Sequence, residues 1–391
     1  MLTKYDEFPV HQSPYPFSRI PITDYSFDDG FYFGFFCPEE KLFLFAGMRV
    51  NPNADMIGGY AGVIHEGVQY TVRMKRPWSP RHDTVIGPYS LDVVEAFTDL
   101  HLALGANDSD LNFDLHWLGA GPPFTEAHHF ATNRQRVTTD QTRYTQPGRA
   151  SGWIEFAGRR LEVTPDRWYA SRDHSWGLYY ERTPLAPDRR WMRPRERGQR
   201  RSLRLWTVFA TPTTAGFFSV HEAADGSRGG LNDTFGTPFE GYITPDGTEV
   251  IELTDIAHRA EFEPGSRVMR TVGVDVTDVN GDVWTIDHRA AQPPWYPQTI
   301  GYDAGSWRDG GSMYTYAGTD EPVLEFDEFD LSTQPFDFTT HDGRELKDRT
   351  GLEYLVSVTV SAPDGTTASG AGQTELFVWS DYEPWFGEEV R

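Results

Sequence analysis

The sequence predicts an all-β protein, two antiparallel barrels or sandwiches packed together. Three observations lead there. Short apolar runs recur at close spacing between Gly and Pro turns, the pattern of a barrel or sandwich. No stretch holds a helical period over a useful length. At 391 residues, the chain exceeds what one hydrophobic core ordinarily organises, so two units are expected.

The elements follow in order. Phe31 to Phe36 is an aromatic run and Leu42 to Val50 an apolar one. Tyr60 to Ile64 and Tyr70 to Met74 read as the arms of a hairpin. Leu91 to Phe97 and Asp99 to Leu104 come next. From Leu111 to Leu118, Leu111, Phe113, Leu115 and Trp117 alternate with Asn112, Asp114 and His116, which gives a strand one dry face. Trp153 to Phe156 and Leu161 to Val163 flank Gly158 as a second hairpin. Leu203 to Ala210, Phe217 to His221, Val250 to Ile256, Thr271 to Thr277 and Val283 to His288 continue the pattern. Asp246-Gly247, Asn280-Gly281 and Asp364-Gly365 are tight-turn signals, the last between Leu352 to Ser361 and Thr366 to Gly372. The polar stretch Thr138 to Ala150 is the expected boundary, giving domains 1–150 and 151–391.

Composition narrows the function. Lys and Arg number 35 against 58 Asp and Glu, a formal charge of −23. Such a field repels phosphate backbones and anionic lipid, which argues against nucleic acid and membrane partners. Trp 12, Tyr 18 and Phe 26 make 14% of the chain aromatic, enough to line an apolar cavity. A lone Cys37 forms no internal disulfide. The opening residues lack a basic segment followed by an apolar core, and no run approaches the roughly 20 residues that span a bilayer. A soluble, cytoplasmic protein with a hydrophobic small-molecule partner is the expectation.

The densest chemistry lies in Arg172-Asp-His-Ser-Trp-Gly-Leu178, preceded by Trp168 and Tyr169 and followed by Tyr179 and Tyr180. An acid, a base and aromatic rings share one short segment. Asp287-His288 is a second acid–base pair. On a strand, neighbours point to opposite faces, so only one member of each pair can face a given interior. Two inward Asp residues would couple and raise one pKa; two inward His residues would make a polar plug. His65, Arg73, His116 and His221 are polar residues among apolar strand neighbours. Trp295 and Tyr296, framed by Pro293, Pro294 and Pro297, read as a rigid turn able to rim a pocket. Arg189, Arg190, Arg193, Arg195, Arg197, Arg200 and Arg201 form a basic island, read either as an anion or partner contact or as a solvated loop. Phosphate-loop, nucleophile-elbow and His-Glu-x-x-His patterns are missing. His128-His129 has no partner at useful spacing, so no metal or cofactor is expected.

Asp173-His-Ser-Trp-Gly177 near mid-chain, in a Trp-rich, two-part β sequence, resembles the carotenoid 1,2-hydratase/AttH-like superfamily. That group includes kievitone hydratase, tocopherol cyclase and fungal Diels–Alderases. The resemblance implies two lipocalin-like units and cofactor-independent addition of water to a prenyl-type alkene. It assigns Asp173 as proton donor, His174 as its tuning or water-orienting partner, Trp176 and Tyr179 as pocket wall, and Arg172 as a fixing charge. Arg172 or a protonated His174 aimed at Asp173 would instead keep it ionised. A lipocalin-like binder without turnover, and a cyclase or isomerase using the same acid, are the other readings of the same residues.

Overall fold

A computed structural model describes residues 2–133, 135–179, 199–231, 236–296, 300–302, 305–331, 338–339, 345–346 and 351–386. A short 3-10 helix, Lys4–Glu7, precedes the strands β1 (Phe27–Cys37), β2 (Leu42–Asn51), β3 (Met56–His65) and β4 (Val68–Pro77). Next come β5 (Val85–Ile86), β6 (Tyr89–Glu95), β7 (Asp99–Leu104), β8 (Asn112–Gly119), β9 (Phe124–Thr125) and β10 (His129–Asn133). The long β11 (Arg136–Phe156) leads to β12 (Arg159–Val163) and β13 (Tyr169–Leu178). Then follow β14 (Leu203–Ala210), β15 (Thr214–Glu222), β16 (Phe239–Pro245), β17 (Ile251–Phe262), β18 (Met269–Asp278) and β19 (Val283–Ala290). The last are β20 (Val323–Asp330), β21 (Phe338–Thr339), β22 (Glu345–Leu346), β23 (Gly351–Ser361), β24 (Thr367–Val378) and a one-turn helix, α1 (Glu383–Phe386).

Two bodies of sheet result, as expected of a double lipocalin-like fold. β20-β4-β3-β2-β1-β13-β11-β8-β7-β6-β5 form a curled, half-barrel sheet, with β9, β10 and β12 also on β11. β14 to β19 with β23 and β24 close into an eight-stranded barrel. The expected hairpins form at β3–β4, β11–β12, β18–β19 and β23–β24. Among the described residues, no helix is long and apolar enough to cross a membrane.

The expected boundary needs correction. Thr138 to Ala150 is strand, inside β11, which pairs with β13 and β8. The first sheet runs on to Leu178 and later recruits β20 against β4, so the Asp-His-Ser-Trp motif belongs to the first sheet and not to the second unit.

Apolar packing holds each body. Inside the curl, Phe33, Phe35, Leu44, Leu102, Leu115, Trp117 and Trp168 are fully or almost fully buried. The other face of β1, β2 and β3 presents Phe36, Phe43, Phe45 and Tyr60 to a core shared with the barrel and the segment after β19. Further along, Phe124 packs on Trp206, Phe217 and Tyr242. Between these apolar patches the two bodies meet through polar side chains, and the candidate site lies there.

Candidate functional site between the two sheets

β13 is an interior strand, paired with β1 on one side and β11 on the other. Alternation sends its residues to opposite faces. Asp173 lies in a row with Tyr32 of β1 and Thr145 of β11. These residues point toward the barrel, together with Ser171, Ser175 and Arg143. Arg172, His174 and Trp176 point into the curl.

The Asp173 carboxyl is half-buried, and it has no hydrogen-bond or ion-pair partner among the described residues. Burial raises its pKa, and the Glu126 and Glu375 carboxylates push the same way. Arg143 and Arg49 oppose the shift without cancelling it. The neighbours are otherwise tied to each other. Arg143 and Thr145 both donate to Glu126. Arg49 makes a two-pronged pair with Asp28 at 2.7 and 3.1 Å, and also donates to Tyr179 Oη at 2.9 Å. Tyr179 in turn bonds Ser175, and Gln141 donates to it at 2.6 Å.

The barrel supplies the opposite wall. Gln373 Nε2 donates to Tyr32 Oη at 2.9 Å and to Glu353 at 2.5 Å, while its Oε1 accepts from Ser171 at 2.6 Å. This bridge needs a glycine below it: a Cβ on Gly34 would stand 2.7 Å from both Gln373 Oε1 and Ser171 Oγ. Glu353 is raised well above the usual carboxylate range by burial and by Glu375. Arg204 pairs with Glu375 at 2.7 Å. Glu240 accepts from the Ala127 N–H at 2.6 Å; burial and nearby Glu126 raise its pKa to about 7. His221 is pulled well below its ordinary value by burial and by Arg201, so it stays neutral. The result is a buried set of carboxyls, several favouring the protonated form, held against guanidinium groups.

The other predicted residues are dispersed. His174 is not the partner of Asp173: its Nε2 meets Asp29 at 2.7 Å, its Nδ1 meets Tyr144 Oη at 3.2 Å, and its ring stacks on Phe31 at 3.9 Å. Trp176 leans on His174 and Tyr144, inside the curl and 37% exposed. Arg172 is buried there over the Trp117 ring, donating to Gln146 and Tyr144. It holds the strand but does not contact Asp173 through a hydrogen bond. Of the motif's predicted wall, Tyr179 alone joins the Asp173 face. Asp287 is exposed and paired with Arg259 at 2.7 Å, whereas His288 points into the barrel. There Nδ1 meets Val272 O at 3.1 Å, and burial lowers its pKa to about 4. The two Asp residues therefore do not couple.

His65 lies at the far end of β3 against Phe156, Arg159 and Lys41. Trp295 and Tyr296, expected at a pocket rim, are both buried, and Trp295 stacks on Phe45 at 4.2 Å. Trp295 also meets Phe43 of the first sheet at 5.8 Å, so its ring is core rather than rim. Of the basic island, Arg200 pairs with Asp381 at 2.5 Å and Arg201 reaches His221. Arg189, Arg190, Arg193, Arg195 and Arg197, like Tyr180 and Pro297, lie outside the described residues. Sequence reasoning missed Glu126, Arg143, Glu240, Glu353, Gln373 and Glu375. Arg143 and Thr145, two apart within β11, were the available signal.

The fold is matched among solved structures. CghA, solved with Sch210972, aligns with a TM-score of 0.50 at 10% identity, over 91% of this chain and 89% of that one. Another structure of CghA gives 0.47 at 10% identity over 91% and 89%. Kievitone hydratase from Nectria haematococca gives 0.42 at 9% identity, over 90% of each chain. No curated protein matches. The CghA likeness agrees with the double lipocalin-like fold that the sheets show, and a family model spans most of the sequence. By that match over residues 2–355, the chain belongs to the family of unknown function DUF8625.

Proposed function

We propose that this protein is a cofactor-independent acid–base enzyme that adds water to a carbon–carbon double bond of a hydrophobic, isoprenoid-like small molecule. One observation carries the reading: Asp173, on the face of the first sheet turned toward the barrel, is half-buried, has no hydrogen-bond or ion-pair partner among the described residues, and has its carboxyl shifted toward the neutral acid. A neutral carboxylic acid is what protonation of an alkene requires. The Asp173 proton passes to one alkene carbon and leaves a carbocation on the other. Phenol rings such as Tyr32 and Tyr60 face the cation and lower its energy. Water then forms the carbon–oxygen bond, and the proton it sheds returns to the carboxylate and restores Asp173. Tyr32, bonded to Gln373 and Glu353 and next to Asp173 in register, is placed to orient that water. The likeness of the fold to CghA, solved with Sch210972, supports a small-molecule role.

The test is a mass-spectrometric assay of wild type and Asp173→Asn in heavy-oxygen water, over prenylated phenolics, terpenoids and steroids. Product carrying one heavy oxygen, lost in the variant, is the expected result. Unlabelled ring or isomer product moves the assignment to a cyclase or isomerase using the same acid. Ligands retained equally by both proteins without turnover would make the chain a binding protein and sink the hydratase reading.

A further inference from the structure

A second constellation lies on the first sheet, away from Asp173. In register, Asp173 faces Thr145 of β11, and Ser151 of β11 faces His116 of β8. Six residues of strand separate the two points, about 20 Å. Leu100 and Leu102 of β7, and Phe113, Leu115 and Trp117 of β8, are buried inside the curl. Their burial forces the alternate residues outward. His101 and His116 are therefore direct cross-strand partners, with ring centroids 4.8 Å apart.

Two carboxylates flank the pair. His101 Nε2 stands 3.0 Å from Asp114 Oδ1, and His116 Nδ1 stands 2.7 Å from Asp99 Oδ1. The ligand atoms of His101, Asp114 and His116 all lie within 4.8 Å of one another. Ligands on a tetrahedral zinc, each about 2.0–2.1 Å from the ion, are roughly 3.3 Å apart. The His101–Asp114 distance is already close to that, and small side-chain rotations bring in His116.

We propose that His101, Asp114 and His116 bind a divalent transition-metal ion of the zinc class, with Asp99 positioning His116. Asp99 accepts the Nδ1 proton of His116, which leaves the Nε2 lone pair for the ion. This is the carboxylate–histidine arrangement that fixes tautomer and ring direction in metal sites. Two imidazoles and one carboxylate select zinc, nickel or copper over calcium and magnesium, which prefer oxygen alone. The ion displaces the proton shared by His101 and Asp114 and leaves a fourth position to water. Side-chain exposures of 27%, 46% and 37% for His101, Asp114 and His116 admit an ion without opening the sheet. The bound ion would pin β7 to β8.

The full chain, freed of metal by chelator, is titrated with Co2+ alone and then with Zn2+. The expected result is the visible absorption of tetrahedral Co2+ at one ion per chain, displaced by Zn2+. His101→Ala and His116→Ala lose it. Asp99→Asn weakens Zn2+ binding by about 10–100-fold, and His128→Ala, whose ring pairs with Asp140 elsewhere on the surface, leaves it unchanged. Circular dichroism checks the fold of each variant; His116→Gln replaces an alanine variant that fails. Absence of the absorption in wild type, or its survival in the double variant His101→Ala/His116→Ala, overturns the proposal.

Discussion

Glu240 offers the sharpest test of the charge distribution between the two bodies. Its carboxyl is half-buried, accepts the Ala127 N–H at 2.6 Å and faces Glu126. Burial and Glu126 raise its pKa from 4.5 to about 7, against Arg143 and Arg204. A carboxyl raised on folding binds its proton more tightly in the folded state. The fold is therefore relatively favoured below pH 4.5 and loses stability as pH climbs toward 7. A shift of about 2.5 units corresponds to roughly 3 kcal/mol once the group is ionised in both states. The same relation gives about 1 kcal/mol at pH 5. Replacing Glu240 with Gln removes the charge and keeps an oxygen for Ala127. Urea denaturation should then show Glu240→Gln more stable than wild type by about 3 kcal/mol near pH 8.5 and about 1 kcal/mol near pH 5. A difference that stays constant between those two pH values would refute the reasoning, because an ordinary carboxylate gives no such slope.

Two further perturbations probe other parts of the same framework. His288, lowered to about 4 inside the barrel, contributes stability that is complete above its unfolded value and is lost as pH falls from about 6.5 through 4, roughly 3 kcal/mol in all; His288→Phe should flatten that acid limb in a urea-midpoint series, and an unchanged limb would contradict the burial. Arg49→Met leaves Asp28 with its Tyr314 hydrogen bond but no guanidinium, and should cost about 3–5 kcal/mol in chemical denaturation. The double variant Arg49→Met/Asp28→Asn should recover part of that loss. A cost below about 1 kcal/mol would mean that the pair behaves as an exposed one.

Much of the fold was legible because turn chemistry and period-two patterning are local. Asn280-Gly281 and Asp364-Gly365 each close a hairpin, and Phe113, Leu115 and Trp117 bury as their alternation requires. The boundary was illegible for a physical reason. On β11 the face that meets the barrel carries Gln141, Arg143 and Thr145, each bonded to a polar partner. A strand whose covered face is polar resembles a linker to any reading based on hydrophobicity. β20 escaped notice similarly, because its Glu325 and Asp327 are matched by Arg73 and Arg308, far away in sequence or across a loop.

The motif shows where sequence spacing stops informing chemistry. Adjacency of Asp173 and His174 suggests a proton relay, yet strand alternation makes adjacent residues the ones least able to share a proton. Each instead answers to other strands: His174 bonds Asp29 and Tyr144 inside the curl, and Asp173 lies beside Tyr32 in register and feels the charges of Arg143 and Glu375. An acidity carried by Asp173 should thus respond to substitutions at Arg143 or Glu375, distant in sequence, more than to one at His174. If His174→Gln shifted the pH profile of turnover while Glu375→Gln left it in place, the relay would run through the sheet and not across the gap. The sequence neighbour then matters for holding the strand, and the charged surroundings of Asp173 come from residues that only the packing of two β units brings together.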